Sequence, residues 1–555
     1  MPTLNWIGKE AVVNHHLQVP FHLLKDVPEL ACGEPGNGNL IVQGDNLVAL
    51  KALLPYYAGQ VKCIYIDPPY NTGNEGWVYN DNVNSPLIRE WLGKTVGKEG
   101  ETLDRHDRWL CMMYPRLALL RQFLREDGAI FISIDDYEYE SLKLMMNEIF
   151  GEPNHVATFI WKRRTTPDSR NLNGVSGDHE YILCFQRTSG FRVRGQEKDL
   201  EKYTNPDNDP NGPWMSDNLT GLANAVERPN LHYELIHPIT GEHYGPHSSR
   251  GWIYGRERME ELIKNNRILW PKKPGGRPRL KRYVSDMLTS TTGFSSVLNA
   301  PGNVVATKEL SGVMGPKAFA FPKPSQLVEL LIQQATAPND IILDSFAGSG
   351  TTGHAVLRLN KNDGGNRHFI LVEMEQDIAR RVTAERVRRV AQGYERADNG
   401  AAKEQIEAEA ETRSLFLLLT DTTNRVEGLG GGFRFCELGE PLFNEDGKIR
   451  ETVGFADLGR HVYFTETGEP LPQESIADSP KLAVHNGTAI YLLYNGILGD
   501  KSANGGNVLT RAVLAQLPAF DGPKVIYCAG CLLGRDRLHA ERIIIRQTPY
   551  EVKVS

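Results

Sequence analysis

One short segment of the sequence has the residue types needed to methylate an exocyclic amine. The apolar run 63–66 is followed directly by Asp67-Pro68-Pro69-Tyr70-Asn71. The Asp67 carboxylate can accept one hydrogen of an amino group, and the Pro68 carbonyl can accept the other because proline keeps its acceptor. Two prolines stiffen the segment and keep both acceptors aimed. Tyr70 offers a flat face on which a base turned out of a duplex can stack.

The simpler interpretation of this segment is a proline turn with Asp67 as the turn former. Its residues nevertheless suit a single task, and we predict Asp67, Pro68, Pro69 and Tyr70 as catalytic. No Pro-Cys pair exists in the chain, which argues against a cysteine nucleophile and cytosine C5 chemistry.

A second segment has the spacing of a loop that binds a nucleotide-like cofactor. Its sequence is Asp344-Ser345-Phe346-Ala347-Gly348-Ser349-Gly350-Thr351-Thr352-Gly353. The three glycines satisfy G-x-G-x-x-G between a predicted strand and a predicted helix, and Glu373 lies 20 residues further on. The motif alone leaves three interpretations open, namely an S-adenosylmethionine site, a dinucleotide site and a plain glycine turn.

Asp344 favours S-adenosylmethionine among these interpretations. A carboxylate here would oppose a pyrophosphate, whereas S-adenosylmethionine has no phosphate and carries an ammonium and a sulfonium. Glu373 can accept the ribose hydroxyls of either cofactor. No Gly-Lys-Ser/Thr follows the motif, so it is not a P-loop.

A parallel sheet is needed to bring the two segments together. Strands and helices alternate in two stretches of the chain, which is typical of crossover units in an α/β fold. The strands predicted in these stretches are 39–42, 61–66, 129–134, 156–162, 179–187, 340–343 and 368–372. The C-terminal region has its own predicted strands at 432–435, 489–492, 524–527 and 542–545. The predicted helices are 47–54, 110–120, 139–150, 324–336, 352–359 and 377–392. From about 165 to 315 the alternation is lost.

The middle of the chain contains a basic run that the overall charge conceals. The chain has a net charge of −7, but residues 250–282 hold 11 lysines and arginines against three glutamates. A local field of this kind attracts phosphates, since screening confines it to about 10 Å. A solvated loop is the alternative. Aromatic residues that fit base stacking are interleaved with the run: Trp214, Tyr233, His237, Trp252, Tyr254 and Trp270.

Composition excludes several classes of protein. At about 100–200 residues per domain, 555 residues predict three or four units. We find no apolar run near the roughly 20 residues that cross a bilayer and no secretory signal in residues 1–10. Seven cysteines indicate a reducing cytoplasm. Cys528 and Cys531 form a lone CxxC pair, and we predict no metal site.

The two motifs, in this order, resemble those of amino-methylating DNA methyltransferases of the β arrangement, where the catalytic motif precedes the cofactor motif. The resemblance extends to the modification (Mod) subunits of type III restriction-modification systems. Further segments that carry it are 5–9, 44–46, 106–110, 127–136, 161–164, 321–324 and 545–551. It is weakest over 165–315 and 430–520.

The resemblance implies a circularly permuted, Rossmann-like methyltransferase sheet that binds S-adenosylmethionine. The strands before Asp344, Glu373, Asp45 and Asp67 would be its first to fourth strands, with their loops at one edge. Asp45 would reach the adenine amino group of the cofactor, although a helix N-cap is the alternative for this residue. The cofactor-binding residues implied are Asp45, Asp67, Lys323, Asp344, Phe346, Gly348, Ser349, Gly350, Thr351 and Glu373.

The resemblance also implies a division into domains. Residues 1–164 and 316–395 would form the methyltransferase domain, 165–315 a target-recognition domain, 396–414 a helical linker and 415–555 a C-terminal α/β assembly domain. We expect the sheet to be complete by about residue 395. The context favours DNA binding by the basic run, with predicted contacts from Arg163, Arg164, Lys272, Lys273, Arg277, Arg279, Lys281 and Arg282.

The expected function is S-adenosylmethionine-dependent methylation of adenine N6 in double-stranded DNA after base flipping, in the cytoplasm. The resemblance implies a homodimer and, as an option, a helicase-nuclease (Res-type) partner; we expect no membrane partner. Cytosine N4 methylation is the alternative within the class, although Asp67 before the two prolines favours adenine in the family. The alternative from another class is a DNA-binding specificity subunit of a defence complex, against which the intact segment 67–70 counts.

Overall fold

A computed structural model provides the structure of the chain. It describes residues 3–34, 38–72, 93–94, 105–168, 174–222, 224–246, 249–273, 275–287, 289–396, 425–472, 479–494, 497–499 and 506–548. The predicted linker 396–414, apart from its first residue, and residues 549–551 of the family-like tail lie outside these ranges. The chain divides into two compact units, Met1–Val193 with Ser295–Ser555 and Arg194–Phe294. Within the described ranges, no helix combines the length and apolarity that a membrane span requires.

The larger unit is built on a ten-stranded mixed sheet. In chain order its strands are β1 (His22–Asp26), β2 (Leu40–Gln43), β3 (Val61–Ile66), β4 (Leu124–Ile134), β5 (His155–Lys162), β6 (His179–Gln186), β7 (Val297–Leu298), β8 (Ile341–Asp344), β9 (His368–Glu373) and β10 (Arg434–Pro441). They lie side by side in the order β1-β10-β2-β9-β8-β3-β4-β6-β5-β7. The seven strands predicted for the two alternating stretches are all present, which confirms the α/β alternation.

The strand order decides which loops meet. β8 pairs in parallel with β9 on one side and with β3 on the other, and β9 pairs in parallel with β2. The two strands of the later stretch therefore lie between two strands of the earlier one. Because parallel strands end at the same edge of a sheet, the residues that follow β2, β3, β8 and β9 converge there. Ile64, Leu343 and Ile370 are fully buried, as expected for strands covered on both faces.

Helices are present at the six positions that helical spacing predicts and also at 303–314, where no helix was predicted. Those of the larger unit used below are α1 (Asn46–Tyr57), α2 (Arg105–Phe123), α3 (Tyr139–Phe150), α4 (Asn303–Met314), α5 (Ser325–Ala335), α6 (Thr351–Asp363) and α7 (Ala384–Gln392). α1 packs on α2 and α5 packs on α6. The predicted helix 377–392 is interrupted by a π-helical turn at Ala379–Thr383, a feature often found near functional sites.

The smaller unit, Arg194–Phe294, is narrower than the predicted segment 165–315. β6, β7 and α4 lie in the predicted segment but belong to the larger unit. Within the smaller unit, Ile268–Leu269, Arg279–Tyr283 and Trp214–Asp217 form an antiparallel three-stranded sheet. Its core contains Leu219, Leu235, Trp252, Met259, Leu262, Ile268 and Leu280. Trp252, predicted among residues that could stack on bases, is thus a core residue, 1% exposed.

The C-terminal segment contributes to the central sheet. β10 lies between β1 and β2 and runs parallel to β2, with Phe435 opposite Ile41. The expectation that the sheet is complete by about residue 395 is therefore wrong. A local pattern predicts that a strand exists around Phe435 but not which distant strand it pairs with. The rest of this segment forms a four-stranded sheet of Lys481–His485, Thr488–Leu492, Lys524–Cys528 and Ile543–Gln547.

Phe435→Ala should destabilise the methyltransferase sheet itself. The side chain is fully buried, so truncation leaves a cavity and should lower the free energy of unfolding by about 3–5 kcal/mol. Urea denaturation checks this. Glu440→Ala on the same strand is the control, because its exposed side chain should change stability by less than about 0.5 kcal/mol. Equal midpoints for the two variants would show that β10 is not needed for the sheet.

Candidate active site

The predicted catalytic segment leaves the end of β3 and is held by side chains of neighbouring elements. The fully buried Trp109 of α2 donates from Nε1 to the Pro69 carbonyl at 2.7 Å. Asn71 has a left-handed backbone (φ 59°) and donates from Nδ2 to Glu138 Oε1 at 2.5 Å. The Pro68 carbonyl accepts no hydrogen bond from the described residues. Hydrogen bonds at Pro69 and Asn71 therefore fix the loop just after the Pro68 carbonyl.

Asp67 is bound by a lysine from the second stretch of the chain. Lys323 Nζ donates to both carboxylate oxygens at 2.7 Å. Both residues are largely buried, with side chains 15% and 9% exposed. Burial raises the pKa of Asp67, and the Lys323 charge opposes that rise without cancelling it. The ion pair ties the loop after β3 to the loop before α5.

Glu180 on β6 completes this cluster and was not predicted. Its Oε2 accepts from the Tyr70 hydroxyl at 3.0 Å and lies 3.6 Å from Lys323 Nζ, and its Oε1 accepts from Arg163 at 3.0 Å. Burial, followed by the charges of Asp67 and Glu180, raises the pKa of Tyr70 well above its usual range, so Tyr70 stays a hydrogen-bond donor. The available signal was an acidic residue directly before the apolar run 181–185 of the same strand.

Asp344 and Glu373 end β8 and β9 and organise the glycine-rich loop. Asp344 accepts from the Phe346 N–H at 3.0 Å and from the Thr352 hydroxyl at 2.5 Å. Burial raises the pKa of Asp344 to about 7. Glu373 accepts from the Gly348 N–H through one oxygen and from the Glu375 N–H through the other, both at 2.9 Å. The loop backbone thus fixes the orientation of both carboxylates.

A buried arginine also binds the glycine-rich loop. Arg386 of α7 donates to the Ser349 hydroxyl at 3.0 Å and to the Thr351 hydroxyl at 2.8 Å. Glu309 of α4 pairs with Arg386 at 3.3 Å, and the attraction of nearby cations lowers the pKa of Glu309 to about 2 despite its burial. Thr383, in the π-helical turn, donates to the Gly348 carbonyl at 2.6 Å. No motif pointed to Arg386 or Glu309, since both act through contacts between distant segments.

The two motifs line one open cleft. It is lined by Tyr65, Asp67, Phe319, Phe321, Pro322, Lys323, Asp344, Phe346, Ala347, Gly348, Ser349, Thr351 and Thr352. Seven of the predicted site residues are in this set. Two more predicted residues contact the lining residues. Glu373 accepts a hydrogen bond from Gly348, and the Tyr70 ring centroid lies 4.8 Å from Lys323 Nζ.

Asp45 takes the local role that was its alternative interpretation. Its Oδ1 caps α1 by accepting from the N–H groups of Leu47 and Val48 at 2.9 and 3.2 Å. Its Oδ2 pairs with the buried Arg116 at 3.0 Å. The neighbouring Asn46 donates to the Ser345 carbonyl at 3.2 Å, which places this helix start beside the cofactor motif. Contact with a cofactor adenine stays a prediction.

The predicted DNA contacts divide by exposure. The prediction that Lys281 contacts DNA is wrong, because this residue is 3% exposed. Inside the smaller unit it pairs with Asp207 and Asp209 at 2.5 and 2.6 Å. Arg163 forms the ion pair with Glu180 described above. The other six predicted residues are at least partly exposed. Arg164 and Arg282 form ion pairs with acidic neighbours, and Arg279 donates a hydrogen bond to Ser216. Lys272, Lys273 and Arg277 make no ion pair among the described residues.

Comparison with known proteins agrees with the motifs. A family profile of N6 and N4 DNA methylases matches residues 61–385. The StyLTI Mod subunit of a type III restriction-modification enzyme from Salmonella typhimurium is 35% identical over 66% of this chain and 57% of its own length. The EcoP15I Mod subunit from Escherichia coli is 32% identical over 67% and 64%, respectively. The type II methyltransferase M.KpnI from Klebsiella pneumoniae is 31% identical over 61% of this chain and 81% of its own length. The predicted resemblance is confirmed, although the chain spans less than two thirds of either Mod subunit.

Proposed function

We propose a DNA-methylating activity for this chain, because it belongs to the family of N6 and N4 DNA methylases. The reaction proposed is transfer of a methyl group from S-adenosylmethionine to adenine N6 in double-stranded DNA. The observation that carries the proposal is the proximity of Asp67 and Asp344 in one cleft, at the ends of the adjacent parallel strands β3 and β8. The Asp67 carboxylate can accept a hydrogen bond from the target amine, and the Asp344 carboxylate can pair with a cationic cofactor.

The residues of the cleft fit S-adenosylmethionine better than a dinucleotide. Asp344 is a buried carboxylate where a pyrophosphate would meet like charge, and Lys323, the only Lys or Arg among the lining residues, is neutralised by Asp67. Asp344 would hold the ammonium and Phe346 would pack beside the methionine chain. Glu373, which the N–H groups of Gly348 and Glu375 hold at the end of β9, would accept the ribose hydroxyls. When bound, S-adenosylmethionine supplies an electrophilic methyl group on sulfur.

The catalytic segment would prepare the amine for attack. Asp67 accepts one hydrogen of the target NH₂ and the Pro68 carbonyl accepts the other, which draws the nitrogen lone pair out of conjugation with the base. Tyr70 supports the flipped base by stacking. As the N–C bond forms the nitrogen must lose a proton, and the raised pKa of Asp67 makes its carboxylate the better acceptor.

We assign adenine as the target because Asp67 precedes the two prolines, which favours adenine in the family that the motifs resemble. The family also includes N4 methylases, so cytosine N4 stays the second candidate. The sheet order supports a circular permutation in which β8, β9, β2 and β3 are the first to fourth methyltransferase strands.

The remaining parts receive roles by the same resemblance. The unit Arg194–Phe294 would read the DNA sequence, with the exposed Lys272, Lys273 and Arg277 on phosphates. The relatives are named as Mod subunits of type III restriction-modification enzymes, which supports an optional Res-type helicase-nuclease partner. The homodimer is proposed from the family resemblance alone. The C-terminal four-stranded sheet would serve assembly, and the proposed reaction places the chain in the cytoplasm.

Asp67→Ala should abolish or severely reduce methylation. Removing an aimed acceptor costs on the order of 10²–10³ in rate, while binding of S-adenosylmethionine should stay measurable. The measurement is nucleoside mass spectrometry of DNA from a methylation-free host that expresses the chain. N6-methyladenine is expected for the natural chain; N4-methylcytosine would select the second candidate, and no product would favour a specificity subunit. Asp446→Ala, an exposed site, is the control. Normal methylation by Asp67→Ala would contradict the mechanism.

Affinity for S-adenosylmethionine should fall as the pH drops below about 7. Since burial raises the pKa of Asp344 to about 7, this carboxyl gains a proton over that range and loses the charge that pairs with the cofactor ammonium. Calorimetry should show a weakening that approaches tenfold per pH unit below that pKa. Asp344→Asn should bind weakly at both pH 7.5 and pH 5.5 without this dependence. Equal affinity of the natural chain at the two pH values would rule out the assigned role.

A further inference from the structure

Lys323 occupies the places that the proposed function gives to the target base. Its Nζ donates to both oxygens of Asp67 at 2.7 Å and lies 4.8 Å from the centroid of the Tyr70 ring. A target amine therefore cannot take its hydrogen bond to Asp67 until the ammonium withdraws. Lys323 is 8% exposed, so it cannot simply leave a partner and remain unpaired in the protein interior.

Glu180 offers the ammonium a second partner within reach. Its Oε2 lies 3.6 Å from Lys323 Nζ, so a shift of roughly 1 Å would bring the two atoms to hydrogen-bond distance. Among the described residues, Asp67 and Glu180 are the carboxylates that pair with Lys323. Glu180 is itself 3% exposed, and a charge at that depth has a strong local effect.

Two further contacts fix Glu180 for this role. Arg163 donates to Oε1 at 3.0 Å, and Tyr70 donates from its hydroxyl to Oε2 at 3.0 Å. The first bond holds the carboxylate on β6 and the second fixes the ring on which the base would stack. The cluster of Asp67, Glu180, Lys323 and Arg163 carries two negative and two positive charges. Moving Lys323 from one acid to the other leaves that balance unchanged.

We propose that Glu180 is a positioning residue of the methyl-transfer site: it orients Tyr70 and takes over Lys323 when the target amine replaces the ammonium on Asp67. This inference rests on the proposed function, and it adds a residue and a movement to it. Lys323 then keeps Asp67 paired in the free protein. When the flipped base displaces Lys323 from Asp67, Glu180 pairs with the ammonium, so no buried cation is left unpaired.

Glu180→Gln tests the proposal, since glutamine keeps the shape and an acceptor for Tyr70 but removes the charge. Lys323 is then attracted only to Asp67, so kcat should fall on the order of 10²-fold while calorimetric affinity for S-adenosylmethionine changes less than about threefold. Sequencing of methylated DNA first identifies the methylated position. A duplex with 2-aminopurine at that position then reports base flipping through its fluorescence. Its signal should fall with Glu180→Gln and stay unchanged with the control Glu140→Gln, an exposed residue of α3.

A double-mutant cycle separates positioning from a structural role. In a Lys323→Met background there is no ammonium to transfer, so adding Glu180→Gln should lower kcat by less than about threefold. This double variant also removes one charge of each sign, which keeps the test available if Glu180→Gln alone fails to fold. Tyr70→Phe isolates the hydroxyl bond and should lower the flipping signal by itself.

Two results would overturn the proposal. One is Glu180→Gln with natural kcat and a natural flipping signal. The other is a loss of kcat by Glu180→Gln that is equally large with and without Lys323, since the residue would then act independently of the lysine. Failure of the natural chain to methylate any DNA is a different outcome, because it would refute the proposed function and not only the role of Glu180.

Discussion

The parallel pairing of β8 with β3 is the contact on which the rest of the site depends. Leu343 lies opposite Ile64 in this pairing, and the two strands come from parts of the chain almost 280 residues apart. Because both strands run in the same direction, Asp344 at the end of one and Asp67 just after the other reach the same edge. The glycine-rich loop and the proline loop then face a common cleft, and Lys323 closes it from the segment before α5.

Charges buried at this edge are stabilised only as sets. Asp67, Glu180, Lys323 and Arg163 form one set, and Glu309 with Arg386 and Arg358 forms another beneath the glycine-rich loop. Removing one member of a buried set leaves an uncompensated charge, which typically costs 3–5 kcal/mol. Such clusters contribute little net stability compared with apolar packing, but they fix side-chain orientation. The site therefore has ordered acceptors without relying on flexible surface contacts.

Local chemistry explains what the sequence could predict. The proline segment, the glycine-rich loop and Glu373 each carry their signal within a few residues of a strand end, and the structure brings them to one edge. Glu180, Trp109 and Arg386 were not assigned site roles because each acts on residues 35 or more positions away. β10 was recognised as a strand, but its pairing with β2 depends on a partner almost 400 residues earlier.

Burial explains the prediction that failed among the basic residues. Lys281 belongs to a basic run, yet it is buried and paired with Asp207 and Asp209, whereas Arg279 and Arg282 stay exposed. Strand alternation does not separate these positions, because Arg279 and Lys281 lie on the same face of the strand. A count of charges cannot distinguish these positions. Composition gives the sign of a local field, and only the fold decides which side chains present it to solvent.

The most direct measurement is a structure of the chain bound to an S-adenosylmethionine analogue and a duplex that contains its methylation site. The account predicts an adenine outside the helix, stacked on Tyr70, with its amino group within hydrogen-bond distance of Asp67 and of the Pro68 carbonyl. Lys323 should then contact Glu180, and the methionine end of the analogue should lie against Asp344. A target base that remains stacked in the duplex while the analogue is bound, or an amino group held by residues other than Asp67, would contradict the account.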